Sequence, residues 1–433
     1  MDININPDSI SLKQLIQSAE EGEASAQYVI GEMFAKGQTF PQDYAQAMNW
    51  YRKAADQDIA AAQNSIGWLY ANGHGVTQDY VEAANWYRKA AKRGVAVAQY
   101  HLGELYADGI GVLQNYEEAA QWYRKAAEQG MASAQCGLAG LYAEGLGVIK
   151  DYDEAVKWFR KAAEQEFPAG QHSLGWLYAN GYGVSQDYNE AFQWYLQAAE
   201  RDVAAAQAEL GRLYANGLGV KQSTQEAAIW YRKAAEQGIA VAQYNLGVLY
   251  SKGEGIPQDA QEAAIWYRKA AEQGIAAAQN SMGWLYTKGY GVQQDYQAAA
   301  IWYRKAADNK NIAAQNSLGW LYAKGYGVPQ DYKEASIWYR KAAEQGVAAA
   351  QNSLGRLYAS GLGVDQNYDE AAYWFLKAAE QGLAVAQNSI GWFYIKGHGV
   401  PIDFAQAKKW LSLAVAQGDE NARKGLKIIE SKL

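Results

Sequence analysis

Only one cysteine, Cys136, occurs in 433 residues. That excludes an intrachain disulfide and suits a reducing compartment. Histidine is almost as scarce, with His74, His101, His172 and His398 alone. No two of them stand at metal-ligand spacing, so no metal site is expected. No apolar run approaches the roughly 20 residues that a membrane span needs. Met1 to Gln14 carry neither a basic nor an apolar stretch of the kind a signal peptide requires. A cytoplasmic protein without a membrane span is the expectation. The net charge of −7 argues against nucleic acid, whose binding calls for a basic stripe with exposed aromatics. Glycine pairs abound, but no Lys-Ser/Thr follows them and no strand precedes them, so neither a phosphate loop nor a dinucleotide fingerprint is present. No cofactor is expected.

What the chain does have is a period. Trp stands at positions 50, 86, 122, 158, 194, 230, 266, 302, 338, 374 and 410, every 36 residues. One supersecondary unit is therefore copied eleven times without insertion or deletion. Such a unit buries its apolar face only by stacking on its neighbours. In the second copy, Ala62, Ile66, Leu69 and Tyr70 mark one face of a first helix, helix A. Ala83, Trp86, Tyr87, Ala90 and Ala91 mark a second, helix B.

Helix B carries the same start signal in each copy. Seven residues before the Trp stands Asp43, Asp79, Asn115, Asp151, Asp187, Ser223, Asp259, Asp295, Asp331, Asn367 or Asp403, all good N-caps. Three residues on, Glu or Gln completes the spacing of a capping box in ten copies, and Ala298 breaks the series. Seven copies end helix B at a Gly suited to a left-handed turn. Asp58, Glu166, Asp202 and Lys310 replace it in the others, where looser turns are expected. Helix A holds a Gly at position 31, 67, 103 and onward, replaced once by Ala139. Since Gly within a helix costs about 1 kcal/mol relative to Ala, a bulky ring of Trp86 or Tyr87 type should press on it. The Trp and Tyr of helix B read as core. Residues 1–22 are expected to cap the first copy, residues 23–418 to form the eleven copies, and residues 419–433 to cap the last.

The pattern Ala-x-x-Leu-Gly-x-Leu-Tyr-x-x-Gly-x-Gly-Val-x-x-Asp-x-x-x-Ala-x-x-Trp-Tyr-x-x-Ala-Ala, as it runs from Ala62 to Ala91, resembles the Sel-1-like repeat family, a relative of the tetratricopeptide repeats. The first copy departs from it, with Thr39 in place of the second loop glycine. The resemblance implies an all-α, right-handed α/α superhelical solenoid. It also implies a non-enzymatic adaptor, since members are mostly scaffolds for protein complexes, bacterial ones among them being host-interaction factors and immunity proteins that wrap a toxin. A cysteine-rich branch has been linked to β-lactam binding, but its disulfide-linked cysteines are missing here.

Comparing copies separates scaffold from surface. Three positions of helix A vary between copies, and their four-residue spacing puts them on one face. They read Tyr28/Glu32/Lys36, Asn64/Trp68/Asn72, Tyr100/Glu104/Asp108, Cys136/Gly140/Glu144, His172/Trp176/Asn180 and Ala208/Arg212/Asn216 in the first six copies. Tyr244/Val248/Lys252, Asn280/Trp284/Lys288, Asn316/Trp320/Lys324, Asn352/Arg356/Ser360 and Asn388/Trp392/Lys396 follow. In tetratricopeptide repeats helix A lines the concave side, and that likeness makes this ladder the expected binding groove. Its Asn carboxamides suit a peptide unit, which needs a donor and an acceptor, and its Trp residues are of the type favoured at binding hot spots.

Charge is unevenly spread. Residues 1–216 hold 27 acidic and 16 basic side chains, and residues 217–433 hold 19 and 23. A protein or peptide partner with an acidic segment is expected to meet the C-terminal half. Head-to-tail self-association of such a bipolar chain is a second expectation. Arg52-Lys53, Arg88-Lys89 and their counterparts read as a solvated outer face near the negative end of helix B.

Overall fold

A computed structural model describes residues 12–430. Among them are 24 helices and no strand. Ala24–Lys36 and Tyr44–Asp56 are helices A and B of repeat 1, and the pair recurs every 36 residues to Ala384–Lys396 and Phe404–Ala416. Of the expected caps, residues 1–11 and 431–433 lie outside the described residues. Leu12–Glu20 packs on the first helix A, and Glu420–Glu430 on both helices of the last repeat. The chain forms two compact units, Met1–Gln222 and Ser223–Leu433.

Local chemistry fixes the unit. All eleven expected N-caps accept a hydrogen bond from the first turn of helix B, as Asp79 does from Val81 and Glu82 at 2.9 and 3.0 Å. The other arm of the capping box is absent among the described bonds. The amide of the cap residue donates elsewhere, to the last turn of helix A: Asp79 to the Tyr70 carbonyl and Asp331 to that of Tyr322, both at 3.0 Å. That bond closes the Gly-x-Gly loop and leaves the third-position carboxylate free. Glu262, Glu334 and Glu370 use theirs to accept from the indole N–H of Trp266, Trp338 and Trp374.

The turns after helix B keep the same left-handed form and the same hydrogen bonds in the four copies where looser geometry is expected. Asp58, Glu166, Asp202 and Lys310 all take left-handed backbone, φ 61–67°. Two amide–carbonyl bonds hold the turn there as they do at Gly94: Asp58 to Ala55 at 3.0 Å, and Ile59 to Ala54 at 3.1 Å.

Stacking explains the invariant residues. A Cβ on Gly67 would lie 2.8 Å from the ring of Tyr87, and on Gly319 2.8 Å from that of Tyr339. The pressing group is thus the ring of Tyr in the same repeat, with Phe375 and Leu411 in its place in the last two copies. The periodic Trp reaches back to the preceding repeat: Trp122 joins the cluster of Ala83, Tyr87 and Leu102, and Trp338 that of Ala299, Tyr303 and Leu318. The Arg-Lys pair is more than solvated surface. Arg52, Arg88, Arg160 and Arg268 donate to the hydroxyls of Tyr70, Tyr106, Tyr178 and Tyr286 in the next helix A, at 2.6–3.1 Å. Each Lys lies over its own Trp, as Lys89 does over Trp86 at 3.8 Å.

A buried Gln near the start of helix A forms a further ladder. Gln99 donates to the carbonyl of Ala91 at 3.0 Å and accepts from Gln129 at 2.7 Å. Gln243, Gln351 and their counterparts repeat this. Where Arg93 or Arg201 replaces the second Gln, the oxygens of Gln63 and Gln171 lose their partner. Those two arginines pair instead with Asp58 and Glu166, the non-glycine turn residues of the preceding repeats. The two departures from the repeat are coupled.

Candidate functional site

At one place in each unit two successive A helices approach more closely than any two successive B helices do among the described residues. Helix A of repeat 4, Ala132–Glu144, touches that of repeat 5, Pro168–Asn180, and Ala276–Lys288 touches Ile312–Lys324. No two successive B helices meet to that extent among the described residues. The variable positions of helix A lie on this tighter layer.

Their exposure is graded along each helix. Asn64, Asn280, Asn316 and Asn388 are half-buried and Asn352 is buried. The side-chain oxygens of Asn64, Asn280, Asn352 and Asn388 are enclosed without a partner among the described residues. Trp68, Trp176 and Trp284 are 38, 41 and 44% exposed, whereas Trp320 and Trp392 are half-buried. Lys252, Lys288, Lys324, Arg356 and Lys396 are exposed. Lys252 pairs loosely with Glu254 at 3.7 Å, and Lys396 lies 5.7 Å from the ring of Trp392. Arg212 is held by Glu209 at 2.7 Å.

The exposed Trp residues have ring neighbours that sequence reasoning missed. Trp68 stands 5.1 Å from His74, which stacks on Tyr44 at 4.6 Å. Trp176, Tyr182 and Tyr152 repeat the arrangement, as do Trp320, Tyr326 and Tyr296. Trp284 meets Tyr290, and His398, in the repeat of Trp392, stacks on Tyr368 of the repeat before. The signal was in the sequence. The residue between the two loop glycines is His74, Tyr182, Tyr290, Tyr326 or His398 where helix A has Trp six residues earlier, and never aromatic elsewhere.

Titration behaviour on this face follows burial. The Cys136 thiol is pushed up to about 12 by desolvation, which makes it a poor nucleophile. Burial also lowers the pKa of His172, opposed by the nearby Glu209 carboxylate. Folded His172 therefore binds fewer protons than its unfolded counterpart, whose pKa is about 6.5. Its contribution to stability is full above that value and declines as pH falls below it. His172→Asn, the residue of five other copies, should reduce the loss of stability between pH 7 and pH 5, read as the shift in urea midpoint. An unchanged pH dependence would show that His172 remains solvated.

The Sel1 repeat family matches eleven consecutive windows, from residues 24–59 to residues 384–419. The chain belongs to the Sel1 repeat family. It is similar to a protective antigen present in uropathogenic Escherichia coli strains displaying an SLR fold, at 39% identity over 98% of this chain and 91% of that one, with a TM-score of 0.88. A Sel1 repeat protein from Oxalobacter formigenes is 34% identical over 71% of this chain and 89% of that one, with a TM-score of 0.56. Comparison with curated proteins gave no match. The Sel1 solenoid of helix pairs is generally a protein-binding fold. No helix among the described residues is long and apolar enough to cross a membrane.

Proposed function

We propose that this Sel1 repeat protein is a non-enzymatic scaffold that binds an extended or helical protein segment along its helix A face. The supporting observation is where variation is allowed. Positions facing the stack keep the same or a closely similar residue through the copies. Positions on the tighter layer vary, and there indole rings stay two-fifths exposed beside loop aromatics. Exposed Trp is costly to leave in water and frequent at interface hot spots. In the C-terminal half Lys288, Lys324, Arg356 and Lys396 favour an acidic segment.

The test replaces Asn280, Trp284 and Lys288 together by Ala, since Trp284 is the most exposed of the five indoles. Proteins captured on the immobilised chain are identified by mass spectrometry and compared with those on the variant. Capture should fall at least tenfold, with helicity and melting temperature nearly unchanged. Full capture by a folded variant would remove this stretch of helix A from the interface.

A further inference from the structure

Repeat 4 breaks the pattern of its neighbours. Where helix A carries Trp in five copies and Glu, Arg or Val in the others, it has Gly140. Packing does not require this glycine. A Cβ there would meet nothing within 4 Å, and a helical Gly costs about 1 kcal/mol against Ala. What it does is open a cavity of about 570 Å³ between the A helices of repeats 4 and 5, open to solvent on one side. Phe159 contributes to the lining at the helix B position that is Tyr in most copies, so the usual hydroxyl is gone. Trp176 makes one wall, and His172 another part of the lining.

The rim supplies the charge. Glu144 lines the cavity and is exposed, and Asp108 occupies the same position one repeat earlier. Neither has an ion-pair partner among the described residues. Lys150, also in the lining, holds its ammonium 4.9 Å from the Tyr152 ring and is drawn toward it. The volume falls within the range of small-molecule sites, but those enclose most of their ligand. An open notch with one aromatic wall instead suits a single bulky side chain delivered by a chain that continues past it.

We infer that this notch is an anchor site for an aromatic side chain of a peptide segment carrying basic residues on its flanks. The inference rests on the helix A face being the binding face and adds the chemistry of its N-terminal half. Layers lie about 10 Å apart and an extended chain advances about 3.3 Å per residue. A Lys about three residues from the anchor therefore reaches Asp108 while the anchor fills the notch beside Glu144. The side chain displaces water from Phe159 and Trp176, Asp108 fixes the basic flank, and Glu144 adds negative charge beside the anchor.

The probe is the synthetic peptide acetyl-Lys-Ala-Ala-Trp-Ala-Ala-Lys-amide, whose two lysines serve either chain direction. The readout is the ring proton signal of His172 by NMR at pH 7.5, one of only four histidines. The peptide should shift that signal saturably, leaving His74 and His398 in place. Replacing its Trp by Ala should abolish the shift, and replacing its Lys by Glu should weaken binding several-fold at low salt. Gly140→Trp inserts the residue that five sibling repeats carry, so it should keep the fold and abolish binding. Trp176→Ala, which removes a wall instead of filling the space, should weaken binding at least tenfold. Glu144→Lys should weaken it about threefold, as expected of an exposed charge.

A folded Gly140→Trp chain that still binds the peptide overturns the site, as does absence of any His172 shift. Free indole binding as tightly as the peptide would make the notch a small-molecule site and overturn the peptide reading. The Asn280/Trp284/Lys288 variant should bind this peptide normally. If the peptide fails while that variant still loses partner capture, the anchor site is wrong and the helix A reading stands. If the peptide binds while capture is untouched, the C-terminal part of that reading fails instead.

Discussion

Trp338→Ala should destabilise the chain by about 3–5 kcal/mol, the range for deleting a large buried side chain. Trp338 is 4% exposed and packs on Ala299 and Tyr303 of the preceding repeat and on Leu318 and Leu321 of helix A in its own repeat. Its ring is also held by the ammonium of Lys341 at 3.9 Å, and its indole N–H by Glu334 at 3.3 Å. The damage should be local, because in a repeat array stability is roughly a sum of unit and nearest-neighbour terms. Hydrogen exchange should therefore lose protection first in Tyr296–Asp308, Ile312–Lys324 and Tyr332–Glu344. Repeats 2 to 4 should keep theirs. Even weakening of all eleven repeats would mean that the chain unfolds as a single cooperative unit.

Gly327→Ala should cost about 3 kcal/mol, far more than the same change at Gly346. Both glycines have positive φ, +69° and +90°. At Gly346 a Cβ would meet nothing within 4 Å, so only the left-handed backbone opposes it, at about 1–2 kcal/mol. At Gly327 a Cβ would also lie 2.1 Å from the Tyr296 carbonyl and 2.5 Å from the Gln297 nitrogen. Those are backbone atoms at the start of the preceding helix B, and they cannot yield without moving the whole helix. Overpacking of this kind adds about 1–3 kcal/mol. Urea denaturation of the two variants side by side gives the comparison. Equal costs would show that the second loop glycine is no wedge between repeats and serves only its own turn. Asp58, Glu166, Asp202 and Lys310 already stand where Gly346 does in their own copies, which agrees with the lower cost there.

Most of the repeat unit is legible in the residues because the forces that define it are local. An Asp, Asn or Ser seven residues before each Trp starts helix B, whatever the rest of the chain does, since its side chain reaches amides of the first turn, as Asp79 reaches those two and three residues on. Glycine after helix A ends it by taking φ near +70°, which an L side chain resists. The Gly of helix A announces a close approach for the same kind of reason, although the sequence left open which of two rings made it. The left-handed turn at Asp58 was misjudged because residue type was weighed alone. Two backbone bonds and, at Asp58 and Glu166, an arginine from the next repeat outweigh the missing glycine.

Relations between copies were decided by the tertiary structure. Gln99 and its counterparts are as constant as the Trp, yet constancy does not say that one amide spans a carbonyl of the preceding helix and a Gln of its own repeat. The same holds for Arg88, whose partner Tyr106 lies 18 residues away. In the helix A ladder, sequence put Asn and Trp on one face, but their depth depends on how the next repeat leans over them. Stacking turns the Asn oxygens inward and leaves Trp284 more exposed than Trp320. Gly140 makes the point most directly: in the sequence it is one small residue among variable ones, and only the neighbouring helix turns the missing side chain into a cavity. Period, caps and turns are properties of a single unit, which residues encode through contacts a few positions apart. Surface depth and empty space belong to pairs of units, and those exist only once the stack has formed.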